Sequence, residues 1–346
     1  MRRLMKMNKL AALLLSAVMA CSMTACGGDT SWTHRSGDYT VTSGMYVGLS
    51  IDAANAASST EGYDATKSPF EQNIEGSDGT KWIQAKANEL AKEYLAVETQ
   101  FAERGLTLSE EDQTNIDYQV EMYWSAFGMG TIYEEEGCGK TSFTNILTNS
   151  YKRSLLFEAI YGEGGEKEVP ESELKAAFEK DYAKGIAITL SALDEEGNKL
   201  TDDALQSVRD DAQKLADRIN AGEDFETVKA EYLADPEAEE DSSEESTDTS
   251  VVFLRADATT QPYTGILEGE IGKASVVEDD QNIYVVQPLD VLSGDSFTNY
   301  RSTILQNLKG EEFNEMVTEW ANALSIEENS AAVSKHNPKH LKNLYQ

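Results

Sequence analysis

The sequence predicts an α+β protein in which a mainly helical lobe surrounds one small unit of short strands with helices packed on them. Three observations carry this reading. Apolar residues recur at spacings of three and four from Trp82 onward; between 183 and 292 stretches of period-two alternation interrupt them; and a helical stripe returns after 293.

The chain opens with Arg2, Arg3, Lys6 and Lys9, then runs apolar from Leu10 to Ala20 with only Ser16 interrupting. This is the pattern of a secretory leader, and its apolar part is about half the ~20 residues a membrane-spanning helix needs. Met23-Thr24-Ala25-Cys26 followed by Gly27-Gly28 resembles the lipobox of bacterial lipoproteins, in which acyl chains on the cysteine hold the mature chain at the membrane. Cys21 is the alternative lipidation site; Cys26 is preferred because a Gly-Gly-Asp-Thr-Ser stretch of tether character follows it. The expectation is a leader over 1–26, a tether over 27–36, and a mature chain on the extracytoplasmic face of the cell membrane. An ordinary cleaved leader with incidental cysteines is the competing reading.

Composition limits the mature chain. Against 62 Asp and Glu stand 29 Lys and Arg, a formal net charge of −33 that loss of the leader makes more negative. Nucleic acid is excluded as a partner, since its phosphates demand a basic face. Cys138 has no intramolecular partner once Cys26 is acylated, so the fold is expected to rest on its core and not on disulfides. No cofactor or metal is expected; calcium has no loop motif to hold it.

The elements follow in order. Ile83, Ala87, Leu90, Tyr94, Val97 and Phe101 mark a helix that stops at Gly105. Ser109-Glu110-Glu111-Asp112 caps a second, with Ile116, Val120, Tyr123 and Phe127 expected inward. A third carries Phe143, Ile146, Leu147, Tyr151, Leu155 and Ala159. These make up the first part of the helical lobe, 37–182. Gly162–Pro170 breaks the composition, and Leu174 and Phe178 then lie on another helix.

Within 183–292, Ile186, Ile188 and Leu190 alternate with Ala187, Thr189 and Ser191 as a two-faced strand, and Leu205, Val208, Ala212, Leu215 and Ile219 form a helix ended near Gly222. Further strands are expected at 250–254, 275–277 and 283–287, the last closed by Pro288. Eight carboxylates in the fourteen residues from Asp235 to Asp248 read as a solvated, disordered loop in preference to a cation site. Phe297, Tyr300, Ile304, Leu308, Phe313, Met316, Trp320 and Leu324 mark a closing helix over 293–326, bent at Gly310, that returns to the helical lobe. The remainder, 327–346, is expected to be a loose tail.

Gly137-Cys138-Gly139-Lys140-Thr141 is not a phosphate loop. The position five before its second glycine is Glu134, inside an acidic run that follows a helix, so a helix-capping turn is the better account. The three histidines, His34, His336 and His340, all fall outside the segments expected to fold, which removes histidine zinc sites and Ser-His-Asp catalysis. Cys138 has no visible base and is expected to be an inert thiol.

This order of elements resembles the parvulin-type foldase lipoproteins of Gram-positive bacteria, the PrsA and SurA-like group. Gly37–Tyr46 is similar to the strand and helix that open their chaperone lobe. Ala221-Gly222-Glu223-Asp224-Phe225 with Val228, Tyr232 and Asp235-Pro236 is similar to a helix end and the short helix after it. Gly269-Glu270-Ile271 ahead of Ile283–Val286 is similar to the close of a parvulin domain. The resemblance implies a SurA-like helical chaperone lobe and a parvulin-like domain with a four-stranded antiparallel sheet. It also implies binding of unfolded or folding exported polypeptides, and the activity of a peptidyl-prolyl isomerase, which lowers a barrier of about 18–20 kcal/mol to rotation about X–Pro bonds. Members of the group place two histidines at the sheet centre; here Ala187 and Tyr284 stand at those positions. Phe253, Tyr263, Tyr284 and Ala187 are then the candidate peptide-binding residues, with Tyr284 the one candidate catalytic group, and isomerase activity is expected to be weak or absent. An isomerase working through non-histidine groups and a solute-capturing lipoprotein with two α/β lobes are the alternatives.

Overall fold

A computed structural model describes residues 31–233 and 249–341; the leader with Cys21 and Cys26, the acidic run and the last five residues lie outside the described residues. The chain begins with a hairpin, β1 (Trp32–Ser36) and β2 (Tyr39–Thr42), that leads into α1 (Ser43–Ala57). A small ribbon, β3 (Asn73–Ile74) and β4 (Ser77–Asp78), precedes α2 (Gly79–Glu103), α3 (Glu110–Glu121), α4 (Met129–Glu136) and α5 (Lys140–Tyr161). Then come α6 (Glu171–Asp181), β5 (Tyr182–Ser191), α7 (Asp202–Asn220), α8 (Phe225–Leu233), β6 (Val251–Leu254), α9 (Tyr263–Glu268), β7 (Ser275–Glu278) and β8 (Asn282–Leu289). The chain closes with α10 (Ser296–Ala323), β9 (Glu327–Glu328) and α11 (Ser330–Lys335). None of the described helices is long and apolar enough to cross a membrane.

Two compact units result: one takes the chain up to Ile160 and again from Glu312 onward, the other Tyr161–Glu311. This division differs from the sequence expectation, since it puts α6 and the first half of α10 with the sheet. α10 itself runs through Gly310 without the expected break. Its buried residues in the second half are Phe313, Val317 and Ala321, while Leu308 is exposed.

In the first unit α1 is apolar on all sides and lies at the centre. Met45, Tyr46 and Leu49 pack on Ile83, Ala87, Ala91 and Leu95 of α2. Its opposite face, Val47 and Ile51, meets Ile116, Val120, Tyr133, Cys138 and Phe143. A polar network crosses this unit: the Asn149 amide donates to Tyr94 O at 3.0 Å and to Glu98 Oε1 at 2.9 Å, and Lys152 Nζ lies 2.6 Å from Glu98 Oε2. Pairing of this kind is what makes a nearly buried Glu98 tolerable. The Ser109 cap forms as read, a capping box with Asp112 as its reciprocal partner.

Four expectations are corrected in this unit. The tether was expected to extend to 36, but Trp32–Ser36 is β1, paired on one side with β2 and on the other with β9. The segment from 327 is not a loose tail as far as residue 341: Val333 joins the α1–α2 core, Leu341 the α1–α3 core, and Asn329 caps α11. A few apolar anchors in a polar stretch carry no periodicity, which is why the pattern missed them. Consequently His34 does lie in a folded segment, with a side chain shut off from solvent. Phe127 is 63% exposed instead of inward. After α3 the helix widens to a π turn over Met122–Ala126, closed by Phe127 N–H donating to Met122 O at 2.9 Å, and the inserted residue rotates Phe127 out of phase with Ile116 and Val120.

The second unit holds a four-stranded sheet of order β6-β5-β8-β7, antiparallel at every pairing. All strand pairings among the described residues are antiparallel, so the two α/β lobes of a solute-capturing protein are not formed. Alternation sorts the faces as expected. Ile186, Ile188 and Leu190 with Ile283 and Val285 pack beneath Leu205, Ala212, Leu215, Ala216 and Ile219 of α7 and Phe225 and Val228 of α8. Pro288 stands next to last on β8, opposite Gly185.

Candidate functional site

The other face of this sheet carries all four residues singled out in the sequence. Ala187 on β5 lies opposite Val286 on β8, and Thr189 opposite Tyr284, which in turn faces Val277 on the edge strand β7. On the other side Ala183 pairs with Phe253 of β6. Ala187, Phe253, Tyr284, Val277 and Val286 therefore point the same way, and they pack together with Ile266 of α9. Tyr263, the first residue of α9, sets its ring edge-on against Phe253 with centroids 4.9 Å apart. That pair remains open to water, Tyr263 at 36% exposure.

Residues the sequence reading passed over decide how much room this face offers. A Cβ on Gly185 would stand 2.5 Å from Ile266 Cγ2, one on Gly265 2.8 Å from Val277 Cγ2, and one on Gly269 2.7 Å from Pro288 Cγ. Three glycines thus let α9 lie directly on the strands, and Ile266 fills the centre of the face, 2% exposed. A glycine inside a strand is a sequence signal for such close approach, and Gly185 supplied it. What remains for a ligand is the aromatic rim at Phe253 and Tyr263, bordered by Val251 at 45% exposure on the edge strand.

Tyr284 is 7% exposed, and its hydroxyl is already engaged. It donates to Asp279 Oδ2 at 3.0 Å and accepts from Asn282 Nδ2 at 3.1 Å. Burial, then the bond to Asp279, pushes its pKa above the usual phenol range, so it stays neutral at physiological pH. Asp279 is held below the usual carboxylate range by the backbone N–H groups of Gln281 and Asn282. The proton Tyr284 could offer to a twisted amide is committed to this anion. No histidine lies in the sheet unit, since the chain's three are at 34, 336 and 340. Among the described residues no cluster of His, Cys, Asp and Glu has metal-binding spacing. The side chains that meet on this face are mainly apolar and aromatic.

No family model matches the sequence, and no curated protein matches it either. Several solved structures are matched at low identity and low TM-score. One is the foldase protein PrsA from Lactococcus lactis, 12% identical over 90% of this chain and 99% of that chain, with a TM-score of 0.37. Another is the foldase protein PrsA from Streptococcus pneumoniae, 14% identical over 75% of this chain and 83% of that one, with a TM-score of 0.32. PrsA from Bacillus subtilis is 13% identical over 84% of this chain and 94% of that one, with a TM-score of 0.28. Likeness of this degree carries no argument about this chain's activity.

Proposed function

We propose that this protein is an extracytoplasmic foldase-like chaperone that binds unfolded segments of exported polypeptides, with a parvulin-like domain that holds peptide without accelerating proline isomerisation. The observation that carries this reading is the sheet face just described. Its centre is closed by Ile266 and its buried phenol, that of Tyr284, is tied to Asp279, yet the Phe253–Tyr263 pair stays open at its rim. Isomerisation requires groups that favour the twisted amide over the planar one, and here they are missing or engaged. Peptide holding needs only apolar and aromatic surface, which Phe253 and Tyr263 offer. The acyl anchor on Cys26 and a place on the outer face of the cell membrane belong to this proposal, supported by the leader pattern and the lipobox.

The test uses the purified mature chain and an unfolded secreted protein. Suppression of aggregation near equimolar ratio is expected, and the Phe253→Ala, Tyr263→Ala double variant should lose several-fold of it. No effect of the wild type would reject the reading. Proline-limited refolding of a test protein separates the alternative isomerase: acceleration by wild type that is lost in Tyr284→Ala would favour catalysis, and an unchanged rate removes it.

A further inference from the structure

A polar cleft lies within the helical unit. α2 presents Ala85, Asn88, Glu89, Lys92 and Glu93 along one stripe spaced by three and four, and α10 presents Thr318, Ala321 and Asn322 at the same spacing. These residues line an open cleft of ≈ 300 Å³, at the lower end of the size range of ligand pockets. The short side chains of Ala85 and Ala321 leave space in it unfilled.

Its charges are unequal in their freedom. Glu89 is taken by Lys86 Nζ at 2.8 Å, and Glu93 by Arg153 Nη1 at 3.1 Å. The Lys92 ammonium has no carboxylate or hydrogen-bond partner among the described residues. One turn before it, Asn88 is oriented from behind: the fully buried Tyr46 donates its hydroxyl to Asn88 Oδ1 at 2.7 Å. That bond leaves the Asn88 amide hydrogens for the cleft. Asn322 adds a second amide without a partner among the described residues. Thr318 gives its proton to Asn314 O at 3.1 Å and can only accept.

We propose that this cleft binds a carboxylate, with Lys92 supplying the charge and Asn88 and Asn322 supplying amide donors. A singly charged planar anion matches one ammonium flanked by N–H donors. A dianion such as phosphate does not, because Glu89 and Glu93 also line the cleft and the whole chain is strongly acidic. The carboxylate can belong to a small free acid or to a polypeptide, and the two sources are separable by experiment. This inference is independent of the sheet face and of any chaperone activity.

The experiment is a calorimetric titration of the full mature chain. The probes are acetate, propionate, inorganic phosphate, and a short peptide prepared with a free or an amidated C-terminus. Saturable binding of a carboxylate is expected, reduced at least tenfold by Lys92→Met. Ala321→Leu, which fills the cleft and leaves the charge, should reduce it by a similar factor and serves if Lys92→Met fails to fold. Binding confined to acetate and propionate supports the site and assigns it to free acids. Binding of the free peptide but not of its amidated form supports the site and assigns it to polypeptide ends. Absence of saturable carboxylate binding, phosphate binding of equal strength, or affinity unchanged in the folded variants overturns the proposal.

Discussion

The Tyr284 hydroxyl donates to Asp279 Oδ2 across 3.0 Å, which joins the middle of β8 to the turn that precedes it. The turn is built for this: Asp279 Oδ1 accepts the backbone N–H groups of Gln281 at 2.8 Å and Asn282 at 2.9 Å, which leaves Oδ2 for the phenol. Tyr284→Phe keeps the ring that packs on Ile266 and removes the hydroxyl with its bonds to Asp279 and Asn282, so it should cost about 1–2 kcal/mol in urea unfolding. Peptide holding should be unchanged. A larger functional than structural loss would show that the hydroxyl acts on the ligand.

Gly185 and Ile266 make a second testable pair. With its Cβ 2.5 Å from Ile266 Cγ2, an alanine at 185 forces α9 off the strands, and overpacking of this kind costs about 1–3 kcal/mol. Trimming the isoleucine makes room, so Gly185→Ala combined with Ile266→Ala should destabilise less than the sum of the two single changes. The readout is a double-mutant cycle by denaturant unfolding, and additivity would show that the two positions are not in contact.

These pairs also mark what could be read from the chain alone. The alternation of Ile186, Ile188 and Leu190 against Ala187 and Thr189 placed both faces of the sheet, because a strand with one face under α7 cannot shift by one residue without burying Thr189. The stripe Leu205, Ala212, Leu215, Ile219 did the same for α7. Phase was lost where local geometry departs from a regular helix, as at the π turn that exposes Phe127. It also drifted along α5, where Leu156, Phe157 and Ile160 are buried in place of Leu155 and Ala159. Phe253 and Tyr263, which meet at the rim, were named from the sequence, yet the plug was not, since Ile266 reads as any apolar helix residue until Gly185 is known to lie beneath it. Polar groups were least legible. Glu98 and Lys152 have the composition of surface residues, and only their direct pairing at 2.6 Å, with Asn149 also donating to Glu98, accommodates them within the unit.

Cys138 should be inert in the native protein. Its thiol is fully buried, against Gly48 of α1, and burial followed by the nearby Asp52 charge pushes its pKa up to about 12. Thiolate is the reacting form, so at pH 8 iodoacetamide should leave Cys138 unmodified over hours and label it quickly in denaturant, as read by peptide mass mapping. Fast native labelling would mean that α1 and α5 separate on that timescale.

Asp52 and His34 give the first unit opposite responses to pH. Asp52 lies within the α1 interface, its Oδ1 accepting a long 3.4 Å bond from the Tyr133 hydroxyl, and burial pushes its pKa up to about 6. The folded state therefore holds a proton that the unfolded chain releases near pH 4. Its effect on stability is nil below that value, grows as pH rises to about 6, and is then constant. A shift of about two pKa units corresponds to a loss of at most ~3 kcal/mol at neutral pH. His34 on β1 is the reverse case: burial holds its pKa below the usual imidazole value, Lys92 adding to this and Glu328 on β9 opposing it. The unfolded chain takes up that proton first, so this contribution is lost as pH falls below about 6.5. Asp52→Asn should thus raise stability at pH 7.5 by about 1–3 kcal/mol and leave it unchanged at pH 3.5. His34→Phe should flatten the decline between pH 6.5 and 5 without altering the Asp52 response. Denaturant unfolding at four or five pH values, followed by a probe within the first unit, checks both slopes; a stability gain from Asp52→Asn that persists at pH 3.5 would show packing, and not ionisation, to be its cause.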